Sequence, residues 1–239
     1  MKKIILLTFG LFLFWACNEK KSDTNLHITG KIKGLKNGTL YIQKVVDTSL
    51  VVLDTIKIDG NDTFESHLKI DSPEMYYLFL DRGVTNSKDN NLLFFAEPGN
   101  ITIETTLDKF LYDAQVTGSK NNDLFVEHKK ITSKYNEEHL NLLEEKFFAT
   151  KTKNTKKVDS INAVQNANLI RKYLYTVNFA INHRDYEVAP YIALSEIYDV
   201  NMKYLDTIQK SMTPKVAQST YGKKLTQFVA DRKKQEQGQ

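Results

Sequence analysis

Apolar and polar positions alternate with a period of two from Leu26 to about Gly118, and then switch to a helical period that lasts to the end of the chain. Leu26, Ile28 and Ile32 fall on one face of the first segment, with His27, Thr29, Lys31 and Lys33 on the other. That is the pattern of a half-buried strand. Lys36-Asn37-Gly38 reads as a turn, and Thr39 to Val46 as the hairpin partner of the first strand. Val51 to Ile58 and Phe64 to Ile70 continue the alternation around a turn at Asp59-Gly60-Asn61-Asp62. Met75 to Leu80 is apolar on both faces, as a strand buried between two layers would be. After an exposed loop over residues 81–91, Leu92 to Ala96 and Ile101 to Thr106 form a further pair joined by Glu97-Pro98-Gly99-Asn100. Short strands punctuated by Gly, Asn and Asp predict a sandwich or barrel.

Beyond Val116-Thr117-Gly118-Ser119, Asn122 is a candidate cap for a helix carrying Leu124, Phe125, His128, Ile131, Tyr135, Leu142, Leu143 and Phe147, mostly three, four or seven apart. Residues 149–160 are basic and polar, either a loop or a solvated helical extension. The helical period resumes from Ile161 to Asn182 and again from Val188 to Tyr198, with Pro190 tolerated in a first turn. Thr213-Pro214 opens a last helix towards Ala230, and the tail from Arg232 is expected to fray. The expected fold class is therefore α+β, an antiparallel β-sandwich-like domain over 26–118 followed by an all-helical domain over 119–235.

The amino-terminal residues have a different pattern. Met1-Lys2-Lys3 is basic, Ile4 to Trp15 is almost wholly apolar, and Ala16 places a small residue before Cys17. This order is that of a secretory signal peptide over 1–16. The apolar stretch of about 12 residues is short of the roughly 20 that cross a bilayer. Cys17 is the only cysteine in the chain, and it stands where the apolar run stops. It resembles the lipobox of bacterial lipoproteins, which implies cleavage before Cys17, a diacylglycerol on its thiol and an acylated new amino terminus. Several acyl chains, palmitate among them, give a lasting anchor where one does not. Residues 17–25 then read as a lipidated polar tether.

Charge and cysteine content narrow the function classes. The formal charge of +4 falls by two when Lys2 and Lys3 leave with the leader, which is too balanced for a nucleic-acid binder. With Cys17 lipidated no free thiol is left, so thiol redox catalysis by this chain is not expected. The five histidines, His27, His67, His128, His139 and His183, are scattered. His128 and His139 share a helix face but stand about 16 Å apart along the axis, too far for one metal. His27 and His67 fall on polar strand faces, and no metal site is expected. Glu137-Glu138 and Glu144-Glu145, a heptad apart, suggest paired acids of a hydrolase, against the simpler reading of a solvated charged face. No phosphate-binding glycine loop or nucleophile elbow occurs, so neither catalytic residues nor cofactor-binding residues are expected.

The order of several short segments carries a resemblance. These are Ile28-Thr29-Gly30-Lys31-Ile32-Lys33-Gly34-Leu35, Gly38-Thr39-Leu40-Tyr41-Ile42 and Asp54 to Phe64, then Phe94-Phe95-Ala96-Glu97-Pro98-Gly99-Asn100-Ile101 and Val116-Thr117-Gly118-Ser119-Lys120-Asn121-Asn122. Together they resemble a domain of unknown function found at the amino terminus of lipoprotein thiol–disulfide oxidoreductases of Gram-negative bacteria. Phe179 to Tyr198 and Ser219 to Leu225 look like the helical spacer of those proteins. The family's redox activity resides in a following thioredoxin-like domain, and none is found before Gln239. The anchor, the loss of any free thiol and two packed modules with no reactive cluster lead to the expectation of a non-catalytic outer-membrane lipoprotein, held at Cys17, that binds or scaffolds a protein partner in the envelope. The alternative is a companion or regulatory subunit of a membrane-associated thiol–disulfide oxidoreductase.

Overall fold

The computed structural model describes residues 23–83 and 88–237, so the signal peptide, Cys17 and most of the tether lie outside the described residues. Among the described residues eight strands form two four-stranded sheets. Sheet A has the order β4(Thr63–Leu68)-β1(Leu26–Lys33)-β7(Gly99–Thr106)-β8(Gln115–Thr117). Sheet B has the order β3(Ser49–Asp59)-β2(Asn37–Val46)-β5(Glu74–Asp81)-β6(Asn91–Ala96). All ladders are antiparallel except that between β1 and β7, which is parallel. The alternation seen in the sequence aims one face of each sheet at the other. Leu26, Ile28, Ile32, Leu40, Ile42, Leu78, Leu80, Phe94, Ile101 and Ile103 fill the space between them.

The strands were placed well by their period, but two expected pairings are replaced. Thr39 to Val46 is not the hairpin partner of β1; it lies in the other sheet, between β3 and β5. Gly34, at φ +92°, lets the chain leave sheet A in a left-handed conformation, and Leu35 follows it into the core. The pair expected between Leu92–Ala96 and Ile101–Thr106 is likewise split, β6 bonding to β5 and β7 to β1. The chain thus changes layers after β1, β3, β4 and β6, and the β1–β4, β1–β7 and β2–β5 ladders join strands that are not consecutive in sequence.

Six helices follow: α1(Lys120–Lys151), α2(Thr155–Asn182), α3(Val188–Glu196), α4(Met202–Ser211), α5(Pro214–Ala217) and α6(Thr220–Gln237). Ser119, not Asn122, caps α1, its hydroxyl accepting from the Asn122 backbone N–H at 3.0 Å. The basic segment 149–160 is almost entirely helical, broken only by a tight turn before α2. The helix expected from Pro214 is interrupted at Gln218–Ser219 and restarts as α6. The tail does not fray at Arg232: α6 continues to Gln237, and the Arg232 guanidinium donates to the Tyr198 and Val200 carbonyls at 2.7 and 3.1 Å.

The helices pack on the face of sheet B that points away from sheet A. Met75 and Phe95 extend from that face into a second core with Leu124, Phe125, Val177, Phe179, Ile192 and Leu225. Met75 to Leu80 is thus apolar on both faces because sheet B is the middle layer of three. Polar bonds fix the contact: Tyr221 Oη accepts from the Met75 N–H at 3.0 Å, and Thr220 Oγ1 donates to Glu74 at 2.7 Å. Among the described residues no helix is long and apolar enough to cross a membrane.

Candidate functional site

Three features of the described residues are candidates for chemistry or recognition. The first lies on the solvent face of sheet A. In the antiparallel β1–β4 ladder His27 is directly opposite His67, and Thr29 is opposite Glu65. Strand alternation puts all four side chains on the outer face. The two imidazoles stack with ring centroids 4.3 Å apart and planes 10° from parallel. Both direct Nε2 at the same carboxylate oxygen, Glu65 Oε1, at 2.7 Å from His27 and 2.8 Å from His67. These hydrogen bonds hold the Glu65 carboxyl below the ordinary carboxylate range, against a small opposing effect of desolvation. The side chains are 35% (His27), 58% (Glu65) and 52% (His67) exposed, so the cluster is open to water. A shallow groove lined in part by Thr29, Lys31, Thr102 and Glu104 runs beside Glu65.

The second feature joins the sheets to the helices. Glu97, just after β6, accepts from the Lys120 backbone N–H at 2.6 Å and from the Asn121 side-chain amide at 2.7 Å. A carboxylate there is matched to the positive end of α1. Asn121, buried, also donates to the buried Glu187 at 3.2 Å and accepts from the Val188 N–H at 2.9 Å. Its neighbour Asn122 accepts from the Phe95 N–H at 3.0 Å. A cleft of about 650 Å³ opens over this network, lined also by Asp71, Asp185 and Lys215. Every polar atom of Asn121 that the contacts involve is spent on structure, which gives the network a fastening role.

The third feature is an arm. Six of the seven buried residues of α1 lie between Asn121 and Thr132, and only Ala149 is buried beyond them. Past Tyr135, whose carbonyl accepts from Asn168 Nδ2 at 2.8 Å, α1 and α2 therefore run on as a two-helix hairpin for about 25 Å. Leu140, Leu143, Phe147 and Phe148 are 63%, 50%, 64% and 55% exposed along it. On sheet B the edge strand β3 and its hairpin to β2 add exposed Val46, Leu50, Val51 and Val52.

The structure separates the residues singled out from sequence. Glu137, Glu138, Glu144 and Glu145 are all exposed, and Glu145 lies 3.6 Å from Lys157, which fits a solvated charged face. His139 is exposed, whereas His128 is fully buried, its Nε2 3.1 Å from Thr176 Oγ1 and its Nδ1 without a partner. Burial pushes its pKa down to about 4, with Glu196 opposing and Lys129 and Lys172 assisting. The unfolded chain therefore binds the extra proton between pH 6.5 and 4. Stability contributed by neutral His128 is present above pH 6.5 and is lost as pH falls towards 4, by up to roughly 3 kcal/mol. Thermal unfolding across that range should show a steeper acid loss in the native chain than in His128→Gln, whatever the variant's absolute stability. Equal slopes would remove His128 from the acid response.

Sequence reasoning placed His27 and His67 on polar faces but did not bring them together. The signal was there in part: Glu65-x-His67 puts two donors on one strand face, and His27 stands on another. Only the pairing of β1 with β4 sets them side by side.

Residues 26–125 match the family model described as Domain of unknown function (DUF4369). Over that stretch the chain is similar to this family. The match agrees with the domain of unknown function that the sequence resembles. It spans both sheets and the first turns of α1 through Phe125, so it includes Asn121 and Asn122 as well as His27, Glu65 and His67. The matched stretch thus includes the residues that fasten it to the helices, while the rest of α1 and the five later helices lie outside it. No curated protein matches the chain.

Proposed function

We propose that this protein is a non-catalytic lipoprotein of the outer membrane, anchored through acylated Cys17, that binds or scaffolds a protein partner in the envelope. The exposed apolar arm formed by α1 and α2 is the observation that carries the reading. A two-helix projection buries little of its own surface, and helices of this kind draw most of their stability from packing. Leucines and phenylalanines left open along such an arm suit a partner's apolar surface. The anchor rests on the sequence around Cys17, and the polar tether gives the folded layers room to stand clear of the lipid.

Crosslinking in intact membranes followed by pull-down tests both halves. The native chain should recover a specific protein. Leu143→Asp/Phe147→Asp should recover about tenfold less or lower still, on the scale of lost interface anchors, with helical content unchanged. Cys17→Ala should lose acyl labelling and leave the membrane fraction. A thioredoxin-like protein among the captured partners would favour the companion-subunit role. Undiminished capture by the arm variant, or nothing specific captured by the native chain, would sink the binding reading.

A further inference from the structure

The arm and the fastening network leave the His27–Glu65–His67 cluster without a role, and its chemistry is of a different kind. Two imidazole nitrogens and one carboxylate oxygen, from two adjacent strands, all lie within 4.8 Å of one another. We infer that His27, Glu65 and His67 form a surface binding site for a zinc-class divalent transition-metal ion. The inference goes beyond partner binding and does not depend on it.

The donor set selects the ion. Magnesium and calcium take oxygen ligands, and soft ions such as Cu(I) prefer thiolate and thioether. Two imidazoles with one carboxylate suit Zn²⁺ and its neighbours in the first transition row. The backbone supplies the preorganisation: His27 and His67 are opposite one another in the ladder, and Glu65 is two residues from His67 on the same face. The two rings stack nearly parallel, and both Nε2 atoms point at the same oxygen. Glu65 Oε1 sits 2.7 and 2.8 Å from the two nitrogens. Tetrahedral ligands held about 2.0–2.1 Å from zinc stand roughly 3.3 Å apart, so the two nitrogen–oxygen separations need to open by about half an ångström. Side chains at this exposure make that adjustment by small torsional changes, without moving the strands.

In the metal-free cluster each Nε2 faces the carboxylate, so it carries the ring proton and donates a hydrogen bond that the carboxylate accepts. On binding, each neutral ring gives up its Nε2 proton to water and takes one from water at Nδ1, so that the Nε2 lone pair is free for the ion. The Glu65 carboxylate, already held in its ionised form by the two histidines, supplies a negative ligand. Three protein ligands leave a fourth position facing solvent, open to water or to a donor from another molecule.

Titration of the tag-free full chain with ZnCl₂, read by calorimetry and by histidine-ring NMR, tests the site. One equivalent should bind, and the ring signals of His27 and His67 should shift while that of His139 does not. His27→Ala, His67→Ala and Glu65→Gln should each weaken binding by more than about tenfold, as loss of a ligand does. His139→Ala should bind as the native chain does, and MgCl₂ or CaCl₂ should produce no ring shift. Circular dichroism confirms that each variant is folded. The inference is overturned if zinc does not saturate at one equivalent. Unweakened binding by a folded His27→Ala/His67→Ala chain would overturn it as well.

Discussion

Phe95→Ala is expected to lower the thermal midpoint by roughly 8–15 °C, corresponding to about 3–5 kcal/mol in a chain of this size. Phe95 is fully buried, and although it belongs to β6 its ring lies in the core on the helical side of sheet B. It meets Tyr191 of α3 and Tyr221 of α6 edge-on, at centroid distances of 5.6 and 5.9 Å. Truncation removes both contacts and leaves a cavity between elements that cannot collapse without shifting a sheet against helices. The helical and strand signals in far-ultraviolet circular dichroism should still be lost together, because the same side chain serves both layers. A helical transition unmoved by the substitution would show that the helices stand without the sheet.

Gly118→Ala is expected to cost about 3 kcal/mol or more, while Gly60→Ala costs only about 1–2 kcal/mol. Both glycines have positive φ, +93° and +78°, so both substitutions pay the same kind of conformational penalty. They differ in space. A Cβ on Gly60 meets nothing within 4 Å, whereas one on Gly118 would stand 2.0 Å from the Asn100 carbonyl oxygen. That oxygen is backbone at the start of β7, so relief requires moving a strand. Gly118 also immediately precedes Ser119, the cap of α1, and the displaced chain would loosen Asn121 and Asn122 from their partners. Chemical denaturation of the two variants side by side reads the difference. Equal losses would mean that the close approach to Asn100 carries no cost.

Much of the fold was legible because the relevant signals are local. Leu26, Ile28 and Ile32 declare an amphipathic strand wherever its neighbours lie, and Leu124, Phe125 and His128 mark one face of a helix in the same way. Pro214 at the first position of α5 and Pro190 inside the first turn of α3 obey the local rule for proline. One helix, α4, was not anticipated although Met202, Leu205, Ile208 and Met212 repeat at helical spacing. The cap of α1 was misplaced by three residues because Ser119 and Asn122 are both good cap types. What separates them is a demand from outside the helix: Asn122 is needed by the Phe95 N–H.

By itself the sequence determined most of the strands and helices, β8 and α4 excepted, and that the chemistry changes sharply at Cys17. Period and composition are properties of neighbours along the chain, so they survive without knowledge of the fold. Which strand lies beside which was decided only in the tertiary structure, where the chain changes layers four times, after β1, β3, β4 and β6. A strand's edge bonds equally well to any partner of matching register, and burying both apolar faces at once selects among them. The same choice places His27 against Glu65 and His67, 38 and 40 positions along the chain, and so creates the one three-ligand cluster among the described residues.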